Sequence, residues 1–501
     1  MAASRRNGPG ETVLVHTRDG ALRGRRGDGV DVYRAVPYAA APVGGLRFAA
    51  PEPLKPWIGV RDATAPATRA VQPLPPVARQ LRPLRPGTRF GEDALTVDVV
   101  SPTGGSGLPV LFWIHGGAYR VGSAANYDGA PLARLGGIVV VTVNYRLGAF
   151  GFLNLSDALG QGSDGDRYAG NAGLRDVIAA LGWVRESIAA FGGDPARITI
   201  AGESAGAGLV TALLVSPYAA GLFAGAIAQS GALNMNADRE EAAASAREFL
   251  IALGVGTERR DRLHSASPRA VLSAMRSVDA LRPDGLPFRP WFDGDLLPAT
   301  REAAATAPTA AVPLLIGTNR DEYRLFSVLR QAVVPLRRER IAVMLSAEAG
   351  ARRAARILAC YPPDKQGLGE LGTHAVFTMP ALAIAERHAR HSPTFVYRFD
   401  FGTTRLRLGA FHTIDLLFLF DGPPVVRRAL LGRFSPEQQS LADRLRGNWV
   451  QFVRTGDPGP DWPRFEVPQR LTRLFDLADS IVADPERELR RVWHGVDLPA
   501  Q

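Results

Sequence analysis

Short, continuously apolar runs are the feature of this sequence that most restricts its fold. They are rich in Val and Ile, and the stretches between them place apolar residues at helical spacing, most clearly over residues 172–195. Strands that are apolar on both sides and alternate with helices form a parallel sheet buried on both faces. We therefore predict an α/β protein with a large, mostly parallel central sheet and helices on both faces. Its strands are expected within residues 109–117, 137–148, 197–202, 225–231, 311–319 and 394–401.

The N-terminal segment has a different pattern. Residues 11–24 and 30–40 alternate between apolar and polar positions and carry turn residues, which predicts a small antiparallel edge on the sheet. Residues 70–90 are rich in Pro and Arg and predict an irregular loop. Because no repeat or linker interrupts the chain, we expect a single domain over residues 11–497 and a disordered terminus at residues 1–10.

Charge and cysteine content limit the classes of function. The net charge is +10, but the 59 basic side chains are scattered along the chain, so we expect no nucleic-acid partner. Cys360 is the single cysteine, which excludes an intramolecular disulfide and a cysteine-based zinc site. No run approaches the roughly 18 apolar residues of a membrane span, and no apolar segment follows the first basic residues. We therefore expect no membrane association and a cytoplasmic location.

A Gly-x-Ser-x-Gly motif at residues 202–206 lies between a predicted strand and a predicted helix. At such a position a serine occupies a sharp, strained turn that exposes its hydroxyl, and small neighbours let the strand and the helix pack closely. We therefore predict that Ser204 is a nucleophile. A tight turn with a serine of no function is the alternative.

A serine nucleophile needs a base, and in this arrangement the histidine follows the acid, which follows the serine. Among the eight histidines, His412 lies just after the last predicted strand, in a small-residue turn at the edge of the sheet, and is the candidate base. His374 is predicted to lie within a helix, and His388 and His391 at the exposed end of another.

The acid is expected on a loop that closes a strand between the serine and the histidine. Residues 313–317 predict such a strand, and Asp321 and Glu322 end the loop that follows. Either carboxylate could orient the imidazole and stabilise its protonated form, and the spacing does not choose between them.

Acyl transfer also needs backbone N–H donors for the negative charge that develops on the substrate oxygen. We predict these donors to be Ala205, directly after the nucleophile, and Gly116 and Gly117, which follow His115 at the end of an early strand. Since the chain has no His-Glu-x-x-His or similarly spaced ligand set, we predict neither a metal nor a cofactor.

These motifs together resemble the type B carboxylesterase family, which includes the cholinesterases and bacterial para-nitrobenzyl esterases. The resemblance extends over almost the whole chain, in ordered segments that include HGGAYRVGS, VTVNYRLGAFGFL, FGGDPARITIAGESAGA, GTNRDEY and GAFHTIDLLFLF. It implies an α/β-hydrolase fold and a serine hydrolase that cleaves small carboxylic esters through an acyl-enzyme intermediate. It also implies that Glu322 is the acid, that Ser230 is a hydrogen-bond partner near the acid, and that Glu203 influences the histidine.

One departure from the family pattern affects the surroundings of the site. Ala94 stands where the family often has a cysteine that pairs with an earlier one, so no disulfide holds the loop at residues 66–90. The sequence therefore leaves the wall that relatives build from this loop undefined.

Two other functions remain open at this point. An amide or carbamate hydrolase would use the same side chains, so the triad does not discriminate between these reactions and ester hydrolysis. A non-catalytic binding protein of the same fold is the second alternative, which the complete triad disfavours. Short to medium acyl groups are expected because no separate lid is visible, and a monomer is favoured.

Overall fold

A large mixed sheet forms the centre of the computed structural model, which describes residues 11–74, 88–160, 168–256, 262–283, 285–329, 337–420 and 424–496. The predicted terminus at residues 1–10 and most of the predicted loop at residues 70–90 lie outside these ranges. The strands within them are β1 (Glu11–Thr17), β2 (Gly20–Gly27), β3 (Val30–Pro37), β4 (Val60–Asp62), β5 (Arg69–Ala70), β6 (Phe90–Gly91), β7 (Thr96–Pro102), β8 (Leu108–Ile114), β9 (Val139–Val143), β10 (Gly193–Glu203), β11 (Gly225–Gln229), β12 (Leu314–Asn319), β13 (Thr394–Phe399), β14 (Leu471–Phe475) and β15 (Ser480–Ala483).

Helices connect most of the parallel strands. Within the described ranges they are α1 (Ala130–Gly136), α2 (Ala149–Phe152), α3 (Leu155–Leu159), α4 (Ala172–Ser187), α5 (Ala205–Val215), α6 (Arg239–Leu253), α7 (Arg262–Ser265), α8 (Pro268–Leu281), α9 (Arg301–Thr306), α10 (Tyr323–Leu329), α11 (Arg338–Ala349), α12 (Ala351–Ala359), α13 (Lys365–Thr373), α14 (Met379–His388), α15 (Leu416–Leu419), α16 (Pro424–Leu431), α17 (Pro436–Thr455) and α18 (Arg487–Trp493). A π-helical stretch, His374–Thr378, joins α13 to α14. None of the helices in the described parts of the chain is both long enough and apolar enough to cross a bilayer.

The strand order explains where a site can form. Along the sheet the described strands follow the order β1-β2-β3-β7-β9-β8-β10-β11-β12-β13-β14-β15, with β4 paired to β2. The strands from β9 to β14 are parallel, whereas β1, β2, β3 and β7 form the antiparallel edge that the N-terminal pattern predicts. The chain adds β9 on one side of β8 and β10 on the other, and ligands bind at the carboxyl ends of parallel strands beside such a switch point.

Each of the six predicted parallel strands forms, and the mostly parallel α/β sheet is confirmed. Two further strands, β14 and β15, follow the last predicted one, so β13 is an interior strand and His412 does not lie after the final strand at the sheet edge. The prediction was wrong on this point because LTRLF and SIVA are short, and β15 is largely exposed, so neither has the apolar run of a buried strand.

The two faces of the sheet are both covered. In β8, Val110, Phe112 and Ile114 belong to one apolar cluster, and Leu111 and Trp113 belong to the other. Since successive strand residues point to opposite faces, this alternation places one cluster on each side of the sheet. Helices α4 and α5 contribute to the first cluster, and α1 and α17 to the second. This packing holds the carboxyl ends of the central strands in fixed positions.

Candidate active site

Ser204 lies in the sharp turn between β10 and α5. Its backbone has φ 58° and ψ −124°, a conformation that costs free energy for any residue with a Cβ. The helix approaches the neighbouring strand β8 so closely that a Cβ on Gly206 would lie 2.1 Å from the carbonyl oxygen of Ile114. Ser204 is partly exposed, whereas its neighbours Glu203 and Ala205 are buried. The turn therefore presents the serine and hides the residues around it.

His412 and Glu322 meet at the carboxyl ends of neighbouring strands. The imidazole Nδ1 lies 2.7 Å from Glu322 Oε2, and both side chains are buried. The other carboxylate oxygen, Oε1, accepts a hydrogen bond from the Asn319 backbone N–H at 2.7 Å. The carboxylate is thus held on both sides and fixes the orientation of the ring.

The two candidate acids have different partners in the structure. Asp321 Oδ2 accepts a hydrogen bond from the Ala410 backbone N–H at 2.9 Å, and its carboxylate forms ion pairs with Arg320 and Arg324. Asp321 therefore holds the turn that precedes His412, while Glu322 contacts the imidazole itself.

A second carboxylate approaches the other side of the imidazole. Glu203 Oε1 lies 3.2 Å from His412 Nε2, and Glu203 is 2% exposed. Burial by itself lowers the pKa of His412, but the Glu203 and Glu322 carboxylates outweigh it and raise that pKa to about 9. The two carboxylates therefore favour the protonated imidazole.

The glycines after β8 lie directly beside the serine. A Cβ on Gly116 would be 3.1 Å from Ser204 Cβ, and Gly117 has φ +119°, where a Cβ would be 2.0 Å from the carbonyl oxygen of Val121. Among the described residues, the N–H groups of Gly116, Gly117 and Ala205 donate no backbone hydrogen bond. These three predicted donors remain available to a substrate oxygen.

His115 shapes this glycine turn from behind. Its ring is buried and stacks on Tyr145 with 4.6 Å between the ring centroids, while the Tyr145 hydroxyl donates to the His115 carbonyl oxygen at 2.8 Å. Burial lowers the pKa of His115 to about 4, so the ring is neutral at pH 7. His115 therefore packs against the turn as a neutral ring.

Comparison with known proteins decides the family. The family model described as the carboxylesterase family matches residues 11–483. The chain belongs to the carboxylesterase family. The predictions of this family, of an α/β-hydrolase fold and of a serine hydrolase that cleaves carboxylic esters are confirmed.

Relatives cover nearly the whole chain. The para-nitrobenzyl esterase of Bacillus subtilis is 37% identical over 95% of this chain and 98% of its own. The human cocaine esterase is 32% identical over 89% of this chain and 84% of its own. Among solved structures, a para-nitrobenzyl esterase superposes with a TM-score of 0.87 at 36% identity, over 96% of this chain and 99% of that one. The carboxylesterase from Geobacillus stearothermophilus gives a TM-score of 0.82 at 36% identity, over 96% of this chain and 100% of that one.

Ser230 differs from its expected role in this carboxylesterase. Its backbone N–H donates to the Gly317 carbonyl oxygen at 2.8 Å, but its hydroxyl is buried and has no hydrogen-bond partner among the described residues. Among the described residues, Ser230 therefore makes no side-chain hydrogen bond to the acid. The Glu322 oxygens already bind His412 and Asn319.

A buried polar network that the sequence motifs do not indicate supports the loop of Glu322. Asp415 accepts hydrogen bonds from Gln229 at 2.7 Å and from Asn319 at 3.2 Å, and Gln229 in turn accepts one from Trp449 at 3.0 Å. Burial and the nearby Glu322 carboxylate raise the pKa of Asp415. Its signal in the sequence is a lone carboxylate that interrupts an apolar run three residues after His412.

Two phenylalanines that the sequence analysis did not select flank the imidazole. The ring centroids of Phe326 and Phe377 lie 5.0 and 4.9 Å from that of His412. Phe326 is on α10, just after the acid, and Phe377 is in the π-helical stretch. They shield the ring from water and strengthen its interaction with the carboxylates.

The other candidate histidines lie away from the serine turn. His374 is in a helical stretch, as predicted, and His391 is exposed. His388 was wrongly predicted to be exposed: it is fully buried, with Nε2 2.8 Å from the Val312 carbonyl oxygen and Nδ1 2.8 Å from Thr309 Oγ1. The end of α14 is buried because it packs against the chain that leads into β12. Within the described ranges, no group of three or more His, Cys, Asp or Glu side chains is arranged to hold a metal ion.

Proposed function

We propose that Ser204, His412 and Glu322 form the catalytic triad of this carboxylesterase. The observation that carries the proposal is the 2.7 Å contact between His412 Nδ1 and Glu322 Oε2 beside the strained turn of Ser204. Ser204 attacks the ester carbonyl carbon, and His412 Nε2 takes the hydroxyl proton. Glu322 accepts the Nδ1 hydrogen bond, orients the ring and stabilises the imidazolium that forms.

The backbone N–H groups of Gly116, Gly117 and Ala205 bind the oxyanion in this proposal. This assignment is supported by the closeness of Gly116 to Ser204, and by the absence of a backbone acceptor for these three N–H groups among the described residues. Collapse of the tetrahedral intermediate breaks the bond to the alcohol oxygen, which receives the proton from His412. Water then attacks the acyl-enzyme, with His412 again as the base, and releases the acid and Ser204.

Glu203 sets the protonation state of the resting base. It lies 3.2 Å from the same nitrogen that has to take the serine proton, so its negative charge stabilises the protonated ring before substrate binds. The base forms when the ring loses its proton. Glu203 therefore shifts the pH at which the enzyme is active, without taking part in bond formation.

The substrate is proposed to be a small carboxylic ester with a short to medium acyl group. The relatives of this protein include proteins named para-nitrobenzyl esterase and cocaine esterase, which supports an ester as the substrate. We further propose a monomeric, cytoplasmic enzyme with a single domain over residues 11–497. The exposed free thiol of Cys360 suits a reducing compartment.

The test combines a covalent probe with a substrate series. A fluorophosphonate should label Ser204, and Ser204→Ala should lose both the labelling and the hydrolysis of p-nitrophenyl acetate. Ser273→Ala, at an exposed serine of α8, is the matched control and should keep both. A p-nitrophenyl ester series of rising acyl length, with one amide and one carbamate, then defines the substrate. Turnover of the amide or the carbamate above every ester would contradict the proposed substrate class.

A further inference from the structure

A second cavity opens beside the segment that follows β11. Its enclosed space is about 70 Å³, and its walls come from residues 232–234, which include the start of the 3-10 turn Leu233–Met235, from Phe292, and from the helices α9 and α14. Much of the lining is apolar, with Leu233, Phe292 and Ile384 among the larger side chains.

Two guanidinium groups line the same cavity. Arg301 is on α9 and Arg387 is on α14. The Arg387 Nη1 donates a hydrogen bond to the carbonyl oxygen of Ala304 at 2.5 Å, which connects the Arg387 side chain to α9. The Arg301 side chain is 10% exposed, and its Nη1 is buried with no hydrogen-bond partner among the described residues. A buried, charged N–H group without an acceptor is costly, so this wall of the cavity is suited to an acceptor from outside the chain.

The nearby carboxylates do not meet this need. Asp238 lies 3.4 Å from Arg301 Nη2, and its side chain is 57% exposed. Glu241 binds Arg289 with both oxygens, at 2.9 and 2.8 Å. The first contact is long and solvated, and the second carboxylate is already engaged, so neither of them supplies a buried acceptor for Arg301 Nη1.

The combination of cationic and apolar walls defines the ligand chemistry. Arginine presents a planar set of donors that matches a carboxylate, and apolar walls favour an organic body over a fully hydrated inorganic anion. Two elements of the cavity also lie near the active site. The 3-10 turn that carries Leu233 and Asn234 ends at Met235, which lies against Gly208 of α5. Helix α14 begins two residues after Phe377, which contacts His412.

We propose that this cavity is a second binding site that takes organic carboxylates with an apolar body. This is the chemical class of acid that ester hydrolysis releases. The match to the product acid rests on the proposed function, whereas the site itself rests on Arg301, Arg387 and the apolar walls.

Binding to the Ser204→Ala protein tests the site without turnover. The probes are 4-iodobenzoate and its uncharged analogue 4-iodobenzamide, both titrated by calorimetry. We expect saturable binding of the benzoate and at least tenfold weaker binding of the amide. In crystals soaked with the benzoate, the anomalous signal of iodine should lie in this cavity, with the carboxylate on both guanidinium groups.

Variants of the cavity, made in the same Ser204→Ala protein, decide the role of the charges. Arg301→Gln and Arg387→Gln should each weaken benzoate binding at least tenfold, whereas Arg301→Lys, which keeps the charge, should retain part of it. Arg269→Gln, at an exposed position of α8, is the control and should bind as its parent does. Melting temperatures verify that each variant is folded.

Two results would overturn the proposal. One is equal benzoate affinity in all folded variants, and the other is an iodine signal found only in the active site at position 204. The proposed function fails separately, if the wild-type protein hydrolyses no ester. Calorimetry and crystallography on Ser204→Ala would still decide the cavity in that case.

Discussion

Two buried histidines in this enzyme have opposite electrostatic surroundings. His412, in the triad loop, lies between the Glu203 and Glu322 carboxylates, and its pKa is raised to about 9. His388, at the end of α14, faces a backbone carbonyl and the Thr309 hydroxyl, and burial lowers its pKa to about 4. Burial alone thus favours a neutral ring, and only nearby carboxylates reverse the effect. The carboxylates therefore stabilise the protonated form of His412, whereas burial keeps His388 neutral.

Removing the imidazole of the triad should have the largest effect. His412→Ala leaves Ser204 without a base, so kcat/KM for p-nitrophenyl acetate should fall by about 10⁴-fold or more. His388→Asn is the comparison and should change kcat/KM less than about tenfold in the folded protein, because this ring lies outside the site. Equal losses in the two variants would contradict the difference between the histidines.

Changing the acid should come next. Glu322→Gln keeps the shape but removes the charge that orients and stabilises the imidazolium, so kcat/KM should fall by about 10³-fold to 10⁴-fold. The matched control is Asp321→Asn in the same turn, since Asp321 binds Ala410 and two arginines but not the ring. A larger loss in Asp321→Asn than in Glu322→Gln would show that the acid has been misassigned.

His388 should affect the free energy of unfolding rather than the rate of hydrolysis. The pKa of His388 in the folded state, about 4, lies below the usual 6.5, so the unfolded chain binds the proton more tightly. The resulting stabilisation is complete above pH 6.5 and is lost as the pH falls towards 4, by about 1–3 kcal/mol. Urea unfolding at pH 7 and pH 5 should show a smaller pH dependence in His388→Asn than in wild type. His391→Asn, at an exposed ring that contacts the same Thr309, should keep the wild-type dependence.

The smallest expected effect is a shift in the pH profile. Wild-type kcat/KM should rise with pH through about 9, because His412 acts as a base only after it loses its proton. Glu203→Gln removes one of the anions that stabilise the imidazolium, so the pKa falls and the rise should move about one pH unit lower. Glu186→Gln, at an exposed carboxylate on α4, is the control. An unchanged profile in Glu203→Gln would mean that Glu203 does not influence the base.

Much of the site could be predicted because its signals are local. The strand, the small-residue turn and the helix around Ser204 lie within about twenty consecutive residues. The strand β8 and the glycines Gly116 and Gly117 that follow it also lie close together in the sequence. Local sequence restricts such a turn directly, since a Cβ on Gly206 would collide with the adjacent strand. The choice between Asp321 and Glu322 was not local: it required the family resemblance, and the structure shows that only Glu322 reaches the imidazole.

The α/β fold, the turn at Ser204 and the order of the proposed nucleophile, acid and base are readable from the sequence, because they follow from neighbouring residues and from the order of strands. Folding sets which histidine is buried among carboxylates, that the Ser230 hydroxyl has no partner among the described residues, and that Asp415 and Gln229 support the loop of Glu322. It also places Arg301 and Arg387 in one cavity. These properties depend on groups that are far apart in the chain, and both burial and electrostatic potential are sums over such groups, so they are set only when the chain has folded.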